Sequence, residues 1–226
     1  MKKQQIKTGA VAGMRKVALG LALSASCMGG DLLGGWEARL HAGLELGQTD
    51  AVSLVVGGEK QRASMDVESG QLFGAAVGYN WSNGFAAEVE YTYRSADFST
   101  VSAALFPEAT AMDIASVLIF ANLTYRPLVS KDGALQPFFG LGFGILQEAS
   151  ADVIIGGVEE SFDGDGTAFQ LLAGFDYRFS ERWRARVSAH YYSAGGIDLE
   201  SGNNAQRKIE LDYKGLSLVA GLAFDW

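Results

Sequence analysis

Polarity alternates residue by residue through eight separate stretches of this chain, most clearly in the last. From Gly215 to Trp226, Leu216, Leu218, Ala220, Leu222, Phe224 and Trp226 share one face of an extended strand. Gly215, Ser217, Val219, Gly221, Ala223 and Asp225 share the other. Large apolar and aromatic side chains opposite small and polar ones suit a strand with lipid on one side and a lined barrel interior on the other.

Seven earlier stretches repeat the pattern. Trp36 to Gly47 sets Trp36, Leu40 and Leu44 against Glu37, Arg39, His41 and Glu45. Gln71 to Trp81 sends Phe73, Val77, Tyr79 and Trp81 outward, and Phe85 to Arg94 sends Phe85, Val89, Tyr91 and Tyr93 outward with Glu88, Glu90, Thr92 and Arg94 inside. In the fourth, Ala115 to Arg126, the inner set (Ser116, Leu118, Phe120, Asn122, Thr124, Arg126) is less polar. The fifth, Gln136 to Leu146, alternates Phe139, Leu141, Phe143 and Ile145 with Gly140, Gly142 and Gly144, a glycine wall that leaves room for long side chains from across the barrel. The sixth turns Phe169, Leu171, Phe175, Tyr177 and Phe179 out and Gln170, Gly174, Asp176 and Arg178 in. The seventh turns Trp183, Val187 and Tyr191 out and Arg184, Arg186, Ser188 and His190 in.

The pattern therefore predicts an all-β fold, an eight-stranded antiparallel up-and-down transmembrane β-barrel, with strands of about 9–11 residues that cross an outer membrane at a tilt. Connections alternate between short (82–84, 127–134, 180–182) and long (roughly 48–69, 95–113, 148–166, 193–210). Short periplasmic turns and long outer loops would put both termini in the periplasm. Trp36, Trp81, Phe85, Tyr125, Phe179, Trp183 and Trp226 then fall near the periplasmic rim as an aromatic girdle. A soluble lipocalin-like barrel would need these aromatics inside, where eight strands leave space only for modest side chains.

Composition sharpens the class. Three prolines stand against 29 glycines, and 48% of the chain is hydrophobic, yet no run of about 18 apolar residues follows the N-terminus, so the apolar residues are dispersed rather than gathered in a spanning helix. Lys2, Lys3, Lys7, Arg15 and Lys16, an apolar core from Val17 to Ala25, and Ser24-Ala25-Ser26 read as a cleaved signal peptide over 1–30, leaving a barrel domain over 31–226. Losing that segment takes the formal charge from −8 to about −13, which argues against a nucleic-acid partner. Cys27 is the single cysteine, so no disulfide forms within the chain; lipidation there would depart from the usual signal, because Ser24 stands three residues before it.

Pro137-Phe138-Phe139-Gly140-Leu141-Gly142-Phe143-Gly144, the stretch from Phe169 to Phe179, and the terminal Gly221-x-x-Phe224-x-Trp226 resemble the small bacterial outer-membrane barrels, a family that includes the OmpA-type transmembrane domain and the opacity or surface-antigen barrels. The resemblance implies a Gram-negative outer-membrane resident in contact with lipid and lipopolysaccharide, with roles ranging over surface structure, adhesion, immune interaction and weak pore formation. It also implies that the C-terminal strand is read by barrel assembly machinery.

Candidate chemistry is concentrated inside. Inward Arg39, Arg94, Arg184 and Arg186 must meet Glu37, Glu45, Glu88, Glu90 and Asp176 or stay buried and unpaired at high cost. Turn registers put Gly78 opposite Glu88 and Asp176 opposite Arg186. Ser188 and His190 share the inner face and Glu90 could approach them, the outline of a nucleophile, base and orienting acid; Ser193 falls on the opposite face from His190, a departure from the lipid A deacylase pattern. Two distant histidines and one cysteine make no transition-metal cluster. No catalytic, cofactor or metal residue is assigned. Glu148, Asp152, Glu159, Glu160, Asp163 and Asp165 make the third long loop acidic, with Asp163-Gly164-Asp165-Gly166 as half of a calcium loop. Apolar runs at Ser53 to Val56 and Val101 to Phe106 point to a surface partner or to strands extended as a paired rim. The expected function is a surface structural or interaction role around a filled interior; the alternatives are a small or gated porin and, third, a lipid A-modifying enzyme.

Overall fold

The computed structural model describes residues 34–46, 49–56, 59–102, 112–127, 135–155, 158–201 and 207–226. Nine strands occupy them: β1 (Gly35–Leu46), β2 (Thr49–Val56), β3 (Glu59–Asn80), β4 (Phe85–Ser102), β5 (Met112–Tyr125), β6 (Leu135–Ile155), β7 (Val158–Arg178), β8 (Trp183–Ser201) and β9 (Arg207–Asp225). Each pairs antiparallel with its neighbours, and β1 pairs with both β3 and β9, so the sheet closes on itself. The extra strand, β2, adds no stave. β2 pairs with the same two strands as β1, β3 and β9, and so continues the β1 stave upward. Eight staves thus make one antiparallel barrel, as the alternation predicts.

All eight predicted strands are present with the predicted faces. Leu40, Leu44, Val89, Phe143 and Val187 are exposed on the outer wall, while Glu37, Arg39, His41, Glu88, Glu90, Arg184 and Arg186 are buried within. At the short-turn end the outer aromatics touch ring to ring: Trp36 and Tyr79 at 5.5 Å, Phe85 and Tyr125 at 4.7 Å, Trp183 and Phe224 at 5.1 Å between centroids. Ser82-Asn83-Gly84 closes as a tight turn: the Trp81 amide donates to the Phe85 carbonyl at 2.8 Å, and Gly84 takes φ 91°, which a side chain would strain.

The long connections differ from expectation. Most of 48–69, 95–113, 148–166 and 193–210 is strand, and hairpins extend the wall well past the predicted ends. The reason is visible at the bulges. Register shifts between Leu146 and Ala149 on β6 and between Ala194 and Ile197 on β8 move the inward set from even to odd residues, so Ala149, Ala151, Ile197 and Leu199 face in where the earlier phase would turn them out. A period-two reading ends at such a bulge although the strand does not. Ser53 to Val56 lies in β2 and Val101 at the end of β4, which makes them part of the paired rim; 103–106 lie outside the described residues, as does the segment 1–30 with Cys27.

The acidic segment likewise lies in the paired strands β6 and β7 rather than in an open loop. Asp163 pairs with Ser150 in the ladder, Gly164 packs on the Asp198 carbonyl, and Asp163 and Asp165 stand exposed on the outer face. An extended backbone does not curl around an ion as a calcium loop must.

Inside, the barrel is divided along its length. Charged and amide side chains fill the half nearer the short turns. Toward the hairpin end the described inner wall carries more apolar residues, Leu118, Leu146, Ala168, Ala194, Ile197, Leu199 and Phe162, with Arg94, Glu45, Ser116 and Ser201 buried among them.

Candidate functional site

The charged half of the lumen is built from inward positions on seven staves. Nearest the short turns, Arg184 of β8 donates to Asp225 of β9, to Asp176 of β7 at 3.1 Å and to Glu37 of β1. Arg126, just past β5, donates Nε to Asp176 at 2.8 Å and Nη1 to Asn80 of β3 at 2.7 Å. Asn80 in turn donates to Glu37 at 2.9 Å. Asp176 thereby serves three guanidinium groups, since Arg186 directly opposite it donates Nε to Oδ1 at 2.7 Å and Nη2 to Oδ2 at 3.0 Å. Arg186 also lies over the Phe138 ring at 4.4 Å.

One level further in, Arg39 and Glu88 meet fork to fork, Nη1 to Oε2 at 2.7 Å and Nη2 to Oε1 at 2.8 Å. The Asn122 amide ties this level to the next, donating to Glu88 at 3.0 Å and to Glu90 at 2.8 Å while accepting from Gln170 at 2.8 Å. Glu90 also accepts from the Thr92 hydroxyl at 2.8 Å and lies 3.5 Å from His41 Nε2. Farther along, Arg94 donates to Glu45 at 2.7 Å and to Ser217 at 2.9 Å, its guanidinium 3.9 Å from the Tyr192 ring centre.

The electrostatics follow from a balance. Among the described residues, Arg39, Arg94, Arg126, Arg184 and Arg186 are buried, as are Glu37, Glu45, Glu88, Glu90 and Asp176. Five cations face five anions, and the partly exposed Asp225 is matched by Arg178 at 3.1 Å, so the plug is neutral without a bound counter-ion, and short charge-assisted bonds offset the cost of taking each group out of water. Among the described residues no three His, Cys, Asp or Glu side chains are arranged to hold a metal ion.

Both turn-derived registers hold: Gly78 lies opposite Glu88 and Asp176 opposite Arg186. The strand pattern placed Arg126 and Asp225 on the inner face, but nothing in it marked them as partners of Asp176 and Arg184; those contacts depend on how the staves tilt around the lumen. The glycine wall of β6 does not serve residues from across the barrel. Gly140, Gly142 and Gly144 are filled from next door by Thr124, by Asn122 with Gln170, and by Phe120. Ser188 Oγ and His190 Nε2 do meet, at 2.8 Å, but both are buried in the wall, and Glu90 is held by Thr92, Asn122, Arg39 and His41.

Comparison with known proteins agrees with this architecture. A family model described as outer membrane protein beta-barrel domain matches residues 17–224. The outer membrane protein OprG from Pseudomonas aeruginosa superposes with a TM-score of 0.62 at 20% identity, covering 85% of this chain and 96% of that one. Neisserial surface protein A matches with a TM-score of 0.47 at 13% identity, over 85% and 97% of the two chains. Comparison with curated protein sequences finds no match.

Proposed function

For a chain that belongs to the outer membrane protein beta-barrel domain family, we propose a surface structural or interaction role built on a sealed barrel. The observation that supports it is the neutral plug of five arginines and five carboxylates, hydrogen-bonded across the lumen at its charged half. An eight-stranded interior is just wide enough for side chains to fill, and the ten buried charged side chains are there to fill it. On this reading the parts left to act are the outer wall and the hairpins beyond it. Both termini then lie in the periplasm and the hairpins of β6–β7 and β8–β9 reach the outside, among lipopolysaccharide, where a surface partner would meet them. The C-terminal strand, with Phe224 stacked on Trp226 and the Trp226 amide bonded to the Trp36 carbonyl, is the element that assembly machinery would engage.

A small or gated pore is the second reading, favoured by the charged lining itself: the same groups would select ions if they moved apart. Lipid hydrolysis comes third, since Ser188 and His190 are covered by the plug. Liposome swelling separates the first two. Vesicles holding the refolded protein should not swell in small sugars, and rapid swelling would put the pore first. Protease added to intact cells should cut within the hairpins and leave the short turns untouched; the reverse would invert the topology.

A further inference from the structure

The sequence contains two histidines, and the fold places both in the lumen. His41 projects from β1 into a space that Gly74 of β3 leaves open; a Cβ at Gly74 would lie 2.6 Å from His41 Nε2. His190 projects from β8 and is held by Ser188. Their charged surroundings are shared. Glu90 of β4 is the leading charge acting on each ring, Arg39 of β1 and Arg94 of β4 act on both, and Glu88 of β4 also acts on His41. The residues facing them from β3, β7 and β9 carry no charge: Gly74, Leu172, Ser217 and Gly221.

We propose that the His41–Glu90–His190 level is an acid-operated seal, closed while both imidazoles are neutral and opened to water and ions when they are protonated. The inference rests on the sealed-lumen reading above and adds the condition under which the seal gives way. With neutral histidines the buried charges balance. Each protonation adds one uncompensated positive charge to a level that already feels Arg39 and Arg94, and like charges repel strongly away from bulk water. A charged His41 also competes for Glu90, whose present partners Asn122 and Arg39 join this level to the Arg39–Glu88 fork. Loss of that junction leaves guanidinium and carboxylate groups unpaired, and unpaired buried charge draws in water.

Polar groups flank the histidine level on both sides: Asn122, Glu88 and Arg39 toward the short turns, and Arg94 with Glu45, Ser217 and Tyr192 toward the hairpins. Water entering along either set would bring protons to the imidazoles.

The test is single-barrel recording of the purified, refolded chain in a planar bilayer, with each chamber acidified in turn. The unmodified protein should be silent at neutral pH and open when either chamber is made acidic. H41Q/H190Q, checked for folding by heat-modifiable gel migration, should lower acid-evoked open probability by about tenfold or more. If the double variant fails to fold, H41Q and H190Q are recorded singly, and each should reduce the response. Silence of the unmodified protein in acid, or unchanged acid openings in the variants, would overturn the histidine seal while leaving the sealed lumen intact. Steady conductance at neutral pH would overturn both.

Discussion

Arg184 of β8 grips Asp225 of β9 through two bonds, Nε to Oδ2 at 3.0 Å and Nη2 to Oδ1 at 2.7 Å, and the same guanidinium bonds Glu37 of β1. Because β1 and β9 are the first and last staves to meet, one side chain clasps both sides of the closing seam.

Arg184→Ala should therefore destabilise the barrel by about 3–5 kcal/mol, since it leaves buried Glu37 without its nearest cation. Asp225→Ala should cost less, about 1–2 kcal/mol, because Asp225 is partly exposed and Arg184 keeps Glu37 and Asp176. Urea titrations of the folded fraction in lipid vesicles, read by gel mobility, would rank the two; equal costs would remove Arg184 from its place as the clasp.

The Arg186–Asp176 pair gives a coupling test. Either alanine substitution alone should cost about 3–5 kcal/mol and raise ion leakage. The double substitution should cost less than the sum by about 0.5–3 kcal/mol, the shortfall being limited because Asp176 also serves Arg126 and Arg184. Strict additivity in a double-mutant cycle would mean that the pair is not energetically joined.

On the outer wall, Val187→Arg and Leu141→Arg place a charge against hydrocarbon and should each cost about 2–4 kcal/mol. Both residues are exposed on the lipid-facing side, whereas Ser188, one residue along, is buried inside. Ser188→Ala should change refolding energies by no more than about 1.5 kcal/mol, the loss of one hydrogen bond. If refolding titrations found Val187→Arg neutral, the inner and outer faces would be interchanged.

Gly142→Ala probes how tightly the plug is packed. An added Cβ would collide with Asn122 Oδ1 and lie 3.0 Å from Gln170 Cγ, and Asn122 holds Glu88 and Glu90 together. A cost of about 1–3 kcal/mol is expected, with an increase in leakage, measured by vesicle refolding and dye release. A neutral outcome would mean that Asn122 has room to move.

These contacts show which parts of the molecule can be read along the chain. Faces were legible because lipid and lumen impose period two, and pairings beside the tight turns were legible because 82–84 and 180–182 set the register, as Gly78 with Glu88 and Asp176 with Arg186 show. The extent of the hairpins was not, because the bulges at Leu146/Ala149 and Ala194/Ile197 reverse the phase of alternation. Nor were contacts between non-neighbouring staves, such as Arg184 with Glu37 or Arg126 with Asp176, since these depend on strand tilt and stagger that no single strand records. Inward polarity identified the members of the plug; only the closed barrel pairs them.

The most direct test of the sealed interior is single-channel recording of the unmodified, refolded protein in a planar bilayer at neutral pH. Five buried arginines matched to five buried carboxylates predict a silent barrel, or at most brief openings. Large, steady conductance would contradict this and make those same charges the lining of a channel.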